Sequence, residues 1–229
     1  MGKWVFRVKM KADRTIDKFK ARWVVRGFDQ EHGRDFTKTF APVSRHTSLR
    51  ILLAIAAMER KKLRQIDVAN AFLYAPVDAK IFIEQPHRFN ADPNQICQLE
   101  KSLYSIKQAP RLWQQHLHTR LVRIGFSQLP HDQGMYRLTK GTDYILLYIV
   151  YVDDLLYIGS TDDVTTWFEG ELQRDLTLTV SSTMTQYLGL NIQDGENTIY
   201  LSAAKYADNI AKRFGLTPAT ITTPYRYTD

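Results

Sequence analysis

Two aliphatic runs, Tyr144–Val150 and Leu155–Ile158, enclose Tyr151-Val152-Asp153-Asp154, and no other feature limits so strongly what this chain can fold into. Both runs read as strands, so the segment between them is a tight hairpin turn carrying two adjacent aspartates. Neighbouring carboxylates repel, and one of them would satisfy the turn. A divalent cation removes the conflict, because hard cations take carboxylate oxygens and keep waters for a substrate phosphate. A third carboxylate at the end of a neighbouring strand would complete such a site. Asp67 is the candidate, an acid inside the apolar stretch Ile66-Asp67-Val68, where an unpaired charge is costly.

Two metals held this way activate an attacking oxygen and stabilise a leaving one during in-line phosphoryl transfer. The plainer alternative is that Asp153 and Asp154 only solvate a hairpin tip, since Asp is a common turn residue.

The formal net charge is +7, and its placement says more than its size. Residues 1–26 carry nine Lys and Arg against two Asp, which accounts for the whole excess. Within them Trp4, Phe6, Val8 and Met10 alternate with Lys3, Arg7, Lys9 and Lys11. After a turn at Ala12-Asp13-Arg14, Phe19, Ala21, Trp23 and Val25 alternate with Lys18, Lys20, Arg22 and Arg26. The period of two predicts a half-buried β-hairpin with an apolar underside and a basic top. A positive face of this kind attracts polyanions such as nucleic acid; otherwise it is a solvated charged surface.

Helical spacing predicts a helix through Leu49, Leu52, Leu53, Ala56 and Ala57 capped by Thr47, and a second from Ala109, with Pro110 in its first turn and Gly125 as its stop. A third helix is predicted over Val164–Leu172, and a fourth after Ser202, ending at Gly215. Short strands are predicted at Gln65–Val68, Lys80–Glu84, Gln186–Ile192 and Thr198–Leu201. Strands and helices mix without regular alternation, which favours an α+β antiparallel sheet. The single Cys97 excludes an internal disulfide and a cysteine-based zinc cluster. The longest apolar run, Tyr144–Val152, is too short to span a bilayer.

Tyr151-Val152-Asp153-Asp154 resembles the aromatic-x-Asp-Asp motif of reverse transcriptases. Five further segments resemble the copia-type LTR retrotransposon enzymes in particular: Lys20-Ala21-Arg22-Trp23-Val24-Val25-Arg26-Gly27-Phe28, Thr39-Phe40-Ala41-Pro42-Val43-Ser44, Gln65-Ile66-Asp67-Val68-Ala69-Asn70-Ala71-Phe72-Leu73, Leu103-Tyr104-Ser105-Ile106-Lys107-Gln108-Ala109-Pro110-Arg111-Leu112-Trp113 and Tyr187-Leu188-Gly189-Leu190. They occur in order across almost the whole chain. The resemblance implies a right-hand polymerase fold with an antiparallel palm sheet and a partial thumb. Residues 1–42 and 75–108 would be fingers, 43–74 and 109–193 palm, and 194–229 the start of the thumb.

The resemblance also implies roles. Asp67, Asp153 and Asp154 would bind two Mg²⁺ ions, with Mn²⁺ as a substitute, and the backbone of Val68 would complete the coordination. Lys20 and Arg22 would grip the nucleotide triphosphate, with Lys107 nearby. Phe72 would lie beneath the sugar and reject a ribose 2′-hydroxyl, although it is equally a core aromatic. Gln108, Tyr151, Leu188 and Gly189 would face template and primer. The family usually has Gly where Ser105 stands. The implied activity is template-directed addition of deoxynucleotides to a DNA primer on an RNA or DNA template. Rival readings are a degenerate or domesticated fragment that binds nucleic acid without polymerising, and a two-metal nuclease. No membrane is expected, an oligomer is left open, and the expected location is a cytoplasmic retroelement particle or the nucleus.

Overall fold

The computed structural model describes residues 2–216 apart from 11–14, 43–44, 87–88, 90–91, 93, 150–151, 183–185, 188–189 and 196–197. Its centre is a six-stranded antiparallel sheet built from β3 (Arg64–Val68), β6 (Ser127–Leu129), β7 (Asp132–Lys140), β8 (Asp143–Ile149), β9 (Asp154–Gly159) and β10 (Leu178–Ser181), in the order β10-β3-β9-β8-β7-β6. The two aliphatic runs pair as β8 and β9, with Ile149 opposite Leu155.

These runs are apolar at nearly every position because both faces of the sheet are covered. On one face Ile66, Tyr136, Leu147, Leu155 and Tyr157 pack against α2 (Ala109–Ile124) and α3 (Asp162–Gln173), through Trp113, Leu117, Leu121, Phe168 and Leu172. On the other, Met135, Tyr148, Leu156 and Ile158 pack against Leu49, Leu52, Leu53 and Ala56 of α1 (His46–Met58). A three-stranded sheet of β11 (Gln186–Tyr187), β12 (Leu190–Asp194) and β13 (Ile199–Ser202) joins this second layer through Ile192 and Ile199. The helix α4 (Ala204–Arg213) follows it. No helix among the described residues is long and apolar enough to cross a membrane.

The helix boundaries follow local chemistry. Pro110 stands in the first turn of α2, and Gly125, at φ +111°, ends it in the left-handed conformation that glycine adopts at least cost. Thr161 caps α3, its hydroxyl accepting from the Val164 N–H. The expected Thr47 cap of α1 is not found. That helix begins at His46, and the buried Asp132 carboxylate reaches it from β7, accepting from the Arg45 N–H at 3.1 Å and from the Ser48 hydroxyl. A carboxylate near a helix N-terminus also faces the positive end of the helix dipole. A charge 87 residues away in the chain supplies what a neighbour was expected to supply.

The N-terminal hairpin forms as its alternation predicts, from β1 (Gly2–Met10) and β2 (Ile16–Val25). Its register sets Trp4 opposite Trp23 and Val8 opposite Phe19 on one face, with Arg7 opposite Lys20 on the other. Only the base is well buried, at Val24 and Val25. Phe6 and Phe19 are 75% and 76% exposed, so the apolar underside is not half-buried along its length. The ribbon stands out from the core, and alternation gave its two faces without giving it a neighbour for the apolar one. A second small pair, β4 (Phe82–Glu84) and β5 (Ile96–Gln98), packs near its base through Ile83 and Cys97.

Phe168 is fully buried, with its ring tilted against Phe126 at 5.0 Å and edge-on to Tyr157 at 5.4 Å. Phe168→Ala is therefore expected to cost about 3–5 kcal/mol in a denaturant unfolding experiment. Phe19→Ala, at the exposed ribbon, should cost less than about 1 kcal/mol.

Candidate active site

Strand register brings two of the three predicted carboxylates side by side. Asp67, at the end of β3, lies directly opposite Asp154, at the start of β9. The Val68 N–H donates to the Asp153 carbonyl at 2.9 Å, which extends the pairing by one residue. Opposed residues in an antiparallel pair put their side chains on the same face, so Asp67 and Asp154 project together. That face is the one bearing Leu156 and α1, while Ile66 and Val68 point into the α2–α3 layer. On the far side of β3, Thr179 of β10 is the partner of Asp67. The turn before the aspartates is anchored from behind: the Trp113 indole of α2 donates to the Val152 carbonyl.

Asp67 is exposed, whereas Asp153 and Asp154 are half-buried. Burial pushes the Asp154 carboxyl above the ordinary carboxylate range, and the charges of Asp153 and Asp67 push the same way. The Gln65 side-chain amide opposes them, donating to Asp154 Oδ1 at 3.0 Å. Asp154 thus feels the charge of both other acids. Among the described residues no three His, Cys, Asp or Glu are drawn close enough to hold a metal ion.

The basic face of the hairpin serves the same region. Partial burial, then Arg22, Lys9 and Lys18, hold the Lys20 ammonium below its ordinary value, and the charge of Asp67 pulls it back up. Arg22 places its guanidinium 5.3 Å from the Tyr104 ring centroid. Its Nε is buried and finds no hydrogen-bond acceptor among the described residues.

Tyr104 is the residue that sequence reasoning missed. Burial raises its hydroxyl, Arg22 lowers it, and Asp153 and Asp67 raise it, so it senses both the hairpin and the acids. It meets the Phe72 ring edge-on at 5.2 Å, and its hydroxyl lies 3.5 Å from Asn70 Oδ1. Phe72 itself is half-buried in the turn Ala71–Tyr74 and packs against two core clusters. Nothing in the periodicity near Leu103-Tyr104-Ser105 marks Tyr104, because its neighbours come from the hairpin and from the turn after β3.

Two other expected site residues, Gln108 and Lys107, bond to the loop after the hairpin. Gln108 is fully buried; its Nε2 donates to the Asp35 carbonyl at 2.8 Å and its Oε1 accepts from Gln30 Nε2 at 3.0 Å. The Gln108 side chain is thus enclosed by the loop after the hairpin and spends its polar atoms there. Lys107 is exposed, but its ammonium donates to the Gln30 carbonyl at 3.0 Å and sits 4.8 Å from the Phe36 ring centroid. Both residues clasp the loop after the hairpin. Tyr151, Leu188 and Gly189 lie outside the described residues.

The same clasp contains a departure noted in the sequence. Ser105 has φ +74°, a left-handed conformation that glycine tolerates far better. Its carbonyl faces Gly27 so closely that a Cβ on Gly27 would lie 1.8 Å from it.

A family model described as reverse transcriptase (RNA-dependent DNA polymerase) matches residues 1–226. The chain belongs to the copia-type reverse transcriptases. It is 32% identical over 225 residues to the retrovirus-related Pol polyprotein from transposon RE1 of Arabidopsis thaliana, covering 97% of this chain and 15% of that one. It is also 32% identical over 227 residues to the Pol polyprotein from transposon TNT 1-94 of Nicotiana tabacum, covering 97% and 17%. A putative transposon Ty5-1 protein of Saccharomyces cerevisiae matches 62% of the chain at 32% identity, covering 46% of that protein. The chain therefore spans only a small part of the plant polyproteins it resembles.

Strain at Ser105 gives a measurable consequence. Its αL conformation costs on the order of 1–3 kcal/mol, against about 0.5–1 kcal/mol lost to the extra freedom of an unfolded glycine. Ser105→Gly should raise the unfolding free energy by about 1 kcal/mol in urea denaturation, and Ser105→Val should lower it.

Proposed function

We propose that this chain is the polymerising unit of a reverse transcriptase, adding deoxynucleotides to a primer 3′ end on an RNA or DNA template. The observation that carries the reading is the register of β3 on β9, which sets Asp67 against Asp154 beneath the basic face of a hairpin. On this reading the central sheet is the palm, with residues 43–74 and 109–193. The hairpin and the clasped segments belong to fingers, residues 1–42 and 75–108, and residues 194–229 begin the thumb.

The donor set suits a pair of divalent cations. Asp67, Asp153 and Asp154 offer only hard oxygen ligands, and their mutual repulsion is relieved by positive charge. These three, with the Val68 backbone, would hold Mg²⁺ or Mn²⁺. Bound there, such ions supply activation of the primer hydroxyl and neutralisation of the leaving diphosphate.

The remaining roles fall to side chains already placed. Lys20 would contact the triphosphate as a point charge, and Arg22 as a fork of donors. The buried, unpartnered Arg22 Nε supports this, because a buried donor without an acceptor is costly and a phosphate oxygen would satisfy it. Tyr104, under the guanidinium and against Phe72, would fix both the arginine and the floor of the sugar pocket. Template, primer and deoxynucleotides are the partners this assigns, in a cytoplasmic retroelement particle or the nucleus.

Primer extension on an RNA template with Mg²⁺ or Mn²⁺ tests the reading, with Asp153→Asn beside the parent. The parent should extend and the variant should not; a parent that binds primer-template but never adds a nucleotide would instead be a nucleic-acid-binding remnant. Separately, Arg22→Ala should raise the KM for deoxynucleotide about tenfold or more, as loss of a charge-assisted contact does, with unfolding stability changed little.

A further inference from the structure

We propose that Gln65 is a positioning residue whose side-chain amide holds the Asp154 carboxylate by one oxygen and leaves the other to face Asp67 and a cation. The proposal rests on the polymerase reading above, and its test separates the two.

Gln65 lies two residues before Asp67 on β3, so both side chains emerge on the same face of the sheet. Its cross-strand partner is Leu156, and Asp154 is the diagonal neighbour. The amide spans that diagonal, with Nε2 donating to Asp154 Oδ1 at 3.0 Å. Leu156 is completely buried beneath the pair, and the donor is aimed along the sheet at the carboxylate.

The chemistry of an amide suits this position better than the alternatives. Lys or Arg would also orient Asp154, but would bring a positive charge into the place a cation must take. Glu would add a fourth negative charge to three that already repel. A shorter Asn would not span the diagonal. An apolar residue would leave a half-buried carboxylate oxygen without its donor. A neutral N–H orients the acid without competing for metal and without adding repulsion.

Orientation matters because Mg²⁺ tolerates little departure from octahedral geometry. A carboxylate free to rotate offers two oxygens in many directions, whereas one pinned at Oδ1 offers Oδ2 in one. Groups that orient a metal ligand typically matter by about 10–100-fold in metal affinity or activity.

Gln65→Met keeps length and volume and removes the donor. Mn²⁺ binding to the full chain, followed by electron paramagnetic resonance, should weaken about tenfold in this variant, and the Mg²⁺ concentration for half-maximal primer extension should rise in parallel. At saturating Mg²⁺ the KM for deoxynucleotide should stay within about twofold of the parent, and the unfolding midpoint should fall only slightly, because water reaches the half-buried Asp154 carboxylate in place of the amide. Gln65→His, whose ring N–H keeps a donor, should recover part of the Mn²⁺ affinity. In an Asp154→Asn background Gln65→Met should have no further effect on Mn²⁺ binding. If Gln65→Met binds Mn²⁺ like the parent while Asp154→Asn does not, the positioning role is overturned and the polymerase reading stands. If Asp154→Asn also binds like the parent, the site itself is wrong.

Discussion

The pairing of β3 with β9 governs the rest of this molecule. In register as found, Asp67 and Asp154 emerge side by side on one face, and a slip of one residue would turn Asp67 into the apolar layer beneath α2 and α3. The register is held by burial on both sides. Ile66 and Leu155 enter one layer and Leu156 the other, while the Trp113 indole ties down the carbonyl that precedes the acids. The two opposed carboxylates sit at strand ends, and the aliphatic runs behind them are packed on both faces.

The second constraint is how the N-terminal ribbon is tied to this sheet. Its base joins the segment before α2, where the Val25 N–H donates to the Tyr104 carbonyl at 3.1 Å. Gly27 then passes close against Ser105, and Gln30 exchanges hydrogen bonds with Lys107 and Gln108. Four consecutive contacts of this kind set the height of Lys20 and Arg22 over the carboxylates, so the residues of the clasp act through placement. The segment Leu103–Trp113 is thus a fastening between hairpin and sheet, and Gln108 belongs to the fastening.

What could be read in the sequence was what depends on near neighbours. Alternation in residues 3–26 gave the hairpin and its basic face, the Pro110 to Gly125 punctuation gave α2, and the aliphatic runs gave β8 and β9. Asp67 was legible because a charge in an apolar strand is conspicuous. β7 and β10 were not, since Arg137, Thr139 and Thr179 break their apolar character and turn residues crowd Gln128–Gly134. Tyr104, Gln65 and the cap that Asp132 provides were invisible for a different reason: each acts on a partner distant in the chain, and no local pattern encodes the distance.

The cost of the carboxylate cluster shows why such a frame is needed. Two like charges about 5 Å apart, the usual spacing of opposed side chains, repel by about 3 kcal/mol at the effective dielectric of a partly buried site. Each fully buried Leu or Ile behind them contributes about 1.5–3 kcal/mol, and Ile66, Leu155, Leu156 and Ile158 are all completely covered. The apolar strands therefore outweigh the repulsion before any cation arrives. The paired carboxylates can be built in advance and left with an unsatisfied attraction for positive charge.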